Sequence, residues 1–266
     1  LMYFVIALIN TVLTFKIRDS EKKARDKEEK EKTIKLYNTL LNSLSHELRT
    51  PIATVIGAVD TMKENKDKLS EKNTAELITE IEIAGLRLNR QVENLLNMSR
   101  LESGFLKPRL DWCDLNERIY SIIKSNRSDI QKRNVVFSPN ENLPMLRIDR
   151  DLIEQAINNI LHNALRYTPE NATIIIRAEQ ETQLCIITIE DNGKGIPENE
   201  MPFVFDKFYR LPLTLAGGTG LGLSIAKGFI EAHKGKIKLK NVITGGAKFI
   251  IEIPVEKSNM QNMYNE

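Results

Sequence analysis

Cysteine is scarce in this chain, with only Cys113 and Cys185 among 266 residues. The two show no metal-ligand spacing, which excludes a cysteine-rich metal site. Each sits in an apolar pattern, as expected of buried free thiols in a reducing compartment. A dominant charge is also missing. Lys and Arg number 38 against 36 Asp and Glu, and a net charge of +2 argues against a dedicated nucleic-acid binder. Internal repeats are absent. The longest uncharged run, Leu1–Phe15 (LMYFVIALINTVLTF), falls short of the about 20 residues needed to span a bilayer.

With 41% hydrophobic and 28% charged residues the chain is globular, and its length suits about two domains. The apolar run is followed by Lys16, Arg18, Lys22, Lys23 and Arg25. Together with a start at Leu rather than Met, this reads as the truncated end of a transmembrane helix over 1–18. The basic flank puts everything downstream in the cytoplasm. A signal peptide is the alternative, but no small-residue cleavage site follows. Residues 19–33 are almost wholly charged, lack Gly and Pro, and carry many opposite charges four apart. A continuous helix through the 19–35 linker satisfies that pattern, and a solvated disordered linker is the alternative.

Apolar residues then recur at Leu41, Leu44, Leu48, Ile52, Val55, Val59 and Met62, tracing one helix face. His46 lies about 200° from Leu44 and Leu48, nearly opposite that seam, and so faces solvent. Glu47 follows at once, able to accept an imidazole proton or fix its tautomer. Pro51 removes a backbone donor just beyond, which predicts a bend. Taken alone, His46 reads as an exposed surface histidine, and the distal half of the chain reverses that reading. After a polar turn at Lys66–Asn73, a second helix covers Thr74 to about Leu101, with Leu77, Ile81, Ala84, Leu88, Gln91, Leu95 and Met98 at heptad spacing. One such hairpin cannot bury both stripes, so residues 36–104 are expected to pair with a second copy as a four-helix bundle.

Composition changes after Gly104. Short strands are predicted near Leu110–Cys113, Val135–Phe137 and Met145–Asp149. A helix capped by Asp114 should run to about Lys132, and another from Arg150 to Tyr167. Thr173–Ala178 and Leu184–Glu190 alternate as paired strands. Leu221–Ala232 reads as a helix, and Ile237–Leu239 with Lys248–Ile253 as a closing strand pair turning near Gly245-Gly246. The pattern over 105–256 is an α+β sandwich, one sheet covered by helices on one side. Residues 257–266 read as a disordered tail.

Three stretches of this half carry chemistry. Asn159 and Asn163 lie four apart on the helix, and Arg166 and Tyr167 continue the polar strip. Amide oxygens suit Mg²⁺ shared with substrate phosphates, Arg suits phosphate and Tyr a base; an ordinary solvated helix face fits the strip as well. Asp191-Asn192-Gly193-Lys194-Gly195-Ile196 follows a strand, where a buried Asp can accept from an adenine amine and glycines admit close approach. A common turn has the same pattern. Gly218-Thr219-Gly220-Leu221-Gly222-Leu223 opens a helix and offers amide donors to phosphate. It matches neither a P-loop nor a dinucleotide fingerprint. Lys207 and Arg210, in Phe205-Asp206-Lys207-Phe208-Tyr209-Arg210, add two cations within reach of a bound triphosphate, and the segment up to Gly217 has the weak periodicity of a mobile lid.

In this order and spacing the His46 stretch and these three resemble the sensor histidine kinases of two-component signalling, over about residues 35–255. His46, within Ser45–Pro51, matches the H box, Asn159–Tyr167 the N box and Asp191–Gly195 the G1 box. Phe205–Arg210 matches the F box and Gly218–Gly222 the G2 box. The resemblance implies a dimeric phosphoacceptor bundle followed by a Bergerat-type ATP-binding domain, His46 as phosphoacceptor with Glu47 beside it, and Thr50 as the residue positioning water for dephosphorylation. It further implies ATP contacts from Asn159 through Leu223 at the positions named above, Mg²⁺ at Asn163, an adenine contact at Asp191, and a response-regulator receiver domain as partner. Placement at the inner membrane, with the kinase core in the cytoplasm, follows. The membrane helix and Leu223–His233 are similar to potassium-responsive sensor kinases. A gyrase- or chaperone-like ATPase, or a scaffold with a decayed nucleotide site, are the rival readings.

Overall fold

The computed structural model describes residues 2–66, 68–104, 106–130, 133–211 and 218–254. The side chains of 4–12, 26, 28–30, 32–44, 46, 128 and 129 lie outside that description, so the expectation that the His46 ring faces solvent does too. The lid segment 212–217 and the tail from 255 onward also lie outside it. The chain divides into two compact units, Leu1–Gly85 and Leu86–Glu266.

The first unit is helical. Helix α1 spans Met2–Glu64 and continues through the charged 19–33 stretch, where Lys23 pairs with Asp19 at 2.7 Å and Lys27 with Glu31 at 3.9 Å, each one turn apart. Among the described residues no helix is long and apolar enough to cross a membrane. Pro51 is carried inside α1, and the Thr50 carbonyl accepts Thr54 Oγ1 at 3.1 Å. Such a bond to the carbonyl one turn back, beside a missing amide donor, favours local bending. Helix α2, Glu71–Glu102, begins where Ser70 Oγ accepts the Asn73 N–H at 3.2 Å. Ala58 and Ala84 are buried, whereas Ile52, Ile56, Ile78 and Ile83 remain exposed.

The second unit is built on a five-stranded sheet. Its strands are β2 (Asn134–Phe137), β4 (Thr173–Glu181), β5 (Leu184–Asp191), β6 (Lys236–Asn241) and β7 (Ala247–Pro254), in the order β2-β4-β5-β7-β6. β2 runs parallel to β4, and the remaining neighbours are antiparallel. β1 (Asp111–Cys113) and β3 (Leu146–Ile148) form a separate antiparallel pair. Alternation turns Cys185, Ile187, Ile189 and Asp191 of β5 and Ala247, Phe249, Ile251 and Ile253 of β7 inward. Against them pack α3 (Leu115–Ser125), α5 (Arg150–Tyr167) and α6 (Gly222–Ala232), whose buried residues include Ile119, Ile157, Ile160, Phe229 and Ile230. The sandwich is therefore a mixed sheet rather than a purely antiparallel one.

Caps explain where these helices start. Asp114 accepts the Asn116 and Glu117 N–H groups at 2.8 and 3.2 Å. Asp149 accepts those of Asp151 and Leu152 at 3.2 Å each. The helix expected to reach Lys132 stops at Ser125, because Asn126 turns its side chain back to the Ile122 carbonyl and to Asn158 Oδ1, each at 2.7 Å. A short α4, Arg127–Ile130, follows. Cys113 and Cys185 are buried and free, and burial pushes the Cys185 thiol up to about 12. The end of α2 belongs to this unit: Met98 joins the core, Asn97 Nδ2 donates to Gln155 Oε1 at 2.8 Å, and Leu101 occupies the space beside Gly228.

Candidate functional site

A cleft of about 610 Å³, its open mouth included, lies at the C-terminal end of α5. It is lined by Asn163, Ala164, Tyr167 and Thr168 of α5 and its cap, by Asp191, Lys194, Gly195 and Ile196, by Val204, Tyr209, Arg210 and Leu211, and by Leu223, Ala247 and Phe249. Apolar wall and few convergent polar groups are the composition expected of a small-ligand site.

Asp191 ends β5 facing inward, and it is 8% exposed. Its Oδ1 accepts the Gly193 N–H at 2.8 Å and the Ala247 N–H at 3.3 Å, which leaves Oδ2 for a ligand donor. Burial raises its pKa; the two amide bonds oppose that rise and the Glu190 charge adds to it. The next turn depends on glycine at two places. Gly195 has φ +72°, and Gly246, with φ +101°, approaches Asp191 so closely that a Cβ would lie 1.8 Å from its carbonyl oxygen. The Ile196 backbone is held by Asn241, its N–H donating to Oδ1 at 2.9 Å and its carbonyl accepting from Nδ2 at 2.7 Å.

The opposite wall rests on Phe208, which has φ +65°, an unusual conformation for an aromatic residue. Its N–H donates to the Gly220 carbonyl at 3.0 Å. A Cβ on Gly220 would lie 2.6 Å from the Phe208 carbonyl carbon, so the glycine admits backbone-on-backbone contact. Tyr209 lines the cleft, and its Oη is buried with no hydrogen-bond partner among the described residues. An orphaned hydroxyl at a ligand wall is a polar group waiting for a partner.

The sequence-predicted residues fall into two sets. Asn163, Tyr167, Asp191, Gly195, Ile196, Tyr209, Arg210 and Leu223 line one cleft. Gly193 serves Asp191, and Asn159 lies 3.8 Å from where a Gly222 side chain would begin. Arg166 reaches beside Gly218, its Cζ 5.8 Å from the Tyr167 ring centroid. Thr219 and Leu221 are buried; the Thr219 hydroxyl accepts the Leu221 N–H at 3.3 Å, so their side chains serve the loop. Lys207 departs from expectation: its ammonium pairs with Glu102 Oε1 at 2.9 Å. Glu47 and Thr50 lie in α1, in the first unit.

Ala164, Thr168, Lys194, Val204, Leu211, Ala247 and Phe249 also line the cleft without having been singled out from the sequence. Thr168 directly follows Tyr167; alternation along the predicted Lys248–Ile253 strand is the signal for Phe249, and Ala247 lies one residue before that strand. Val204 and Leu211 carry no such periodicity. Among the described residues there is no cluster of three or more His, Cys, Asp or Glu to cage a metal. Asn163 lines the cleft, and an amide oxygen is the hard, neutral kind of donor that would suit Mg²⁺ with phosphates and waters completing its shell.

Comparison with known proteins agrees with this geometry. Residues 37–104 match the His Kinase A (phospho-acceptor) domain and residues 148–257 the histidine kinase-, DNA gyrase B-, and HSP90-like ATPase family. The sensor protein KdpD of Clostridium acetobutylicum is 36% identical over 225 residues, 84% of this chain and 25% of that protein. The chain thus spans about a quarter of that relative's length. The Acinetobacter baumannii histidine kinase AdeS superposes with a TM-score of 0.60 at 27% identity, over 80% of this chain and 98% of that one. Histidine kinase ThkA, solved in complex with response regulator protein TrrA, does so at 0.57 and 28%, over 80% of this chain and 60% of that one. A helical hairpin carrying the phosphoacceptor domain, followed by this Bergerat-type ATPase fold, makes the chain a member of the sensor histidine kinase family.

Proposed function

We propose that the chain phosphorylates itself on His46 from ATP and hands the phosphoryl group to an aspartate of a response regulator. The observation that carries this reading is the convergence of Asn163, Tyr167, Asp191, Ile196 and Arg210 on one cleft, in a chain whose hairpin holds a histidine followed by Glu47. Asp191 Oδ2 accepts the adenine amine, Ile196 and Phe249 pack the base, and Arg210 and Lys194 meet phosphate. Asn163 would hold Mg²⁺, which when bound would supply positive charge to the transferring phosphoryl group.

The neutral His46 ring attacks the γ-phosphorus through its unprotonated nitrogen. An N–P bond forms, the bond to the bridging oxygen breaks, and ADP leaves. Glu47 takes or orients the proton on the other ring nitrogen. A carboxylate oxygen of the regulator then attacks phosphorus and the N–P bond breaks, restoring imidazole. Thr50, one turn after His46, positions water that hydrolyses the regulator's acyl phosphate. Exposed Ile52, Ile56, Ile78 and Ile83 on the hairpin support pairing with a second copy. The response-regulator complex of ThkA supports the partner class. The apolar Leu1–Phe15 run with its basic flank supports anchoring at the inner membrane, and the resemblance of that helix and of Leu223–His233 to potassium-responsive sensor kinases supports kinship with that group.

Incubation with Mg²⁺ and γ-labelled ATP tests this, with His46→Gln and Asn163→Ala alongside. Acid-labile label that is lost in both variants is the expected result. Label persisting in His46→Gln moves the acceptor elsewhere. ATP hydrolysis without label makes the chain an ATPase, and absent ATP binding makes it a scaffold.

A further inference from the structure

We propose that Asn241 is a positioning residue of the nucleotide cleft, its side-chain amide holding the Asp191–Ile196 turn in the shape that receives the base. The proposal rests on the cleft being the ATP site. Asn241 is the last residue of β6, exposed to solvent and outside the cleft lining. Its amide nevertheless makes two bonds to one residue. The Ile196 N–H donates to Oδ1 at 2.9 Å, and Nδ2 donates to the Ile196 carbonyl at 2.7 Å. Reversing the amide would oppose oxygen to oxygen and N–H to N–H, so the backbone fixes its orientation.

The placement of this clamp gives it a role beyond a loop contact. Asn241 pairs across the sheet with Ala247, and the Ala247 N–H donates to Asp191 Oδ1 at 3.3 Å. One cross-strand pair thus grips both ends of the turn: Ala247 holds the carboxylate expected to read adenine, and Asn241 holds the residue that walls the cleft. The hairpin behind them is closed by Val242 N–H to Gly246 O and Gly245 N–H to Val242 O, each at 2.9 Å, so the anchor is rigid. Gly195 lets the amide approach, since a Cβ there would lie 2.7 Å from Asn241 Oδ1. Without Asn241, Ile196 has neither backbone group satisfied, and the turn can rearrange while the sheet stays intact.

The test measures ATP affinity with a fluorescent ATP analogue, and the half-saturating ATP and maximal rate of autophosphorylation. It uses the full chain with Asn241→Ala, Asn241→Ser, Asn241→Asp and Asp191→Asn, each checked by thermal unfolding. Two lost neutral hydrogen bonds predict an Asn241→Ala half-saturating ATP raised about tenfold, with maximal rate within about twofold. Ser recovers part of the affinity with its single hydroxyl. Asp keeps an acceptor for the Ile196 N–H but sets its second, charged oxygen against the Ile196 carbonyl oxygen, and that repulsion cancels the recovered bond. Lost affinity in Asp191→Asn with affinity unchanged in every Asn241 variant would overturn this proposal alone. Affinity unchanged in Asp191→Asn as well would overturn the reading of the cleft and the proposal with it. Should the Ala variant fail to fold, the order of Ser above Asp decides, and equal affinities for those two overturn the proposal.

Discussion

The Lys207 ammonium lies 2.9 Å from Glu102 Oε1, which ties the segment forming one wall of the cleft to the last residue of α2. A cation expected at the triphosphate is thus held by a carboxylate 105 residues earlier in the chain. Both side chains are partly exposed, so the pair contributes about 0–1 kcal/mol and is easily exchanged for phosphate. Glu102→Gln should therefore free Lys207 and tighten ATP binding by about two- to fivefold at low salt, with the gain fading as salt screens the cation. Titration of ATP at two ionic strengths measures this. Equal affinities at low salt would show that the pair does not compete with nucleotide.

Asp191→Asn separates binding from stability. Gly193 and Ala247 N–H groups both require an acceptor, so the variant's amide must keep its oxygen on them and turn its NH₂ to the ligand. Donor then faces the adenine amine, and ATP affinity should fall by about 100-fold or more. The stability effect has the opposite sign. Burial holds the Asp191 pKa above its ordinary 3.8, so the native state keeps a proton that the unfolded chain releases. That contribution is present at low pH and is lost as pH rises from 3.8 through the raised value. The variant's melting temperature should exceed that of the parent by more at pH 7 than at pH 4. A larger difference at pH 4 would refute the burial argument.

Gly245 and Gly246 invite a paired comparison. Both have positive φ, +98° and +101°, but only at Gly246 would a Cβ meet backbone, 1.8 Å from Asp191 O; at Gly245 the nearest atom is 3.5 Å away. Gly245→Ala should cost about 1 kcal/mol from backbone strain alone. Gly246→Ala must displace the Asp191 peptide, and should cost about 3 kcal/mol or more and abolish ATP binding. Chemical denaturation and nucleotide titration on both variants provide the contrast. Equal costs would mean that the close approach to Asp191 is unimportant.

How legible this was in the sequence depended on the range of the interaction. The Arg150–Tyr167 boundaries were readable because an Asp cap, a long 3.6-residue period and the Thr168-Pro169 stop are all local. The cleft's glycines and Asp191 were readable by motif. The parallel pairing of β2 with β4 was not, since strand direction is set by partners distant in the chain. Asn241 and the Lys207 partner escaped for the same reason: an Asn at a strand end and a Glu at a helix end look ordinary until the fold supplies their neighbours.

His233 is one of three histidines and thus a rival to His46 as phosphoacceptor, but its ring is fully engaged. Nε2 accepts the Asp149 N–H at 3.0 Å, which obliges Nδ1 to carry the proton it donates to the Phe229 carbonyl at 2.8 Å. Asp149 in turn caps α5 and accepts the Arg109 N–H at 2.7 Å, so the ring joins the end of α6 to the start of α5. His233→Ala leaves a buried N–H unpaired and a void, at a cost of about 2–4 kcal/mol, or roughly 5–12 °C in melting temperature. His233→Gln, which can still accept the N–H, should recover part of this. Phosphohistidine formed below the lowered melting point should be unchanged in both. A variant that folds fully but takes no label would return His233 to candidacy as the acceptor, whereas lost stability with normal labelling fixes its role as a structural tie.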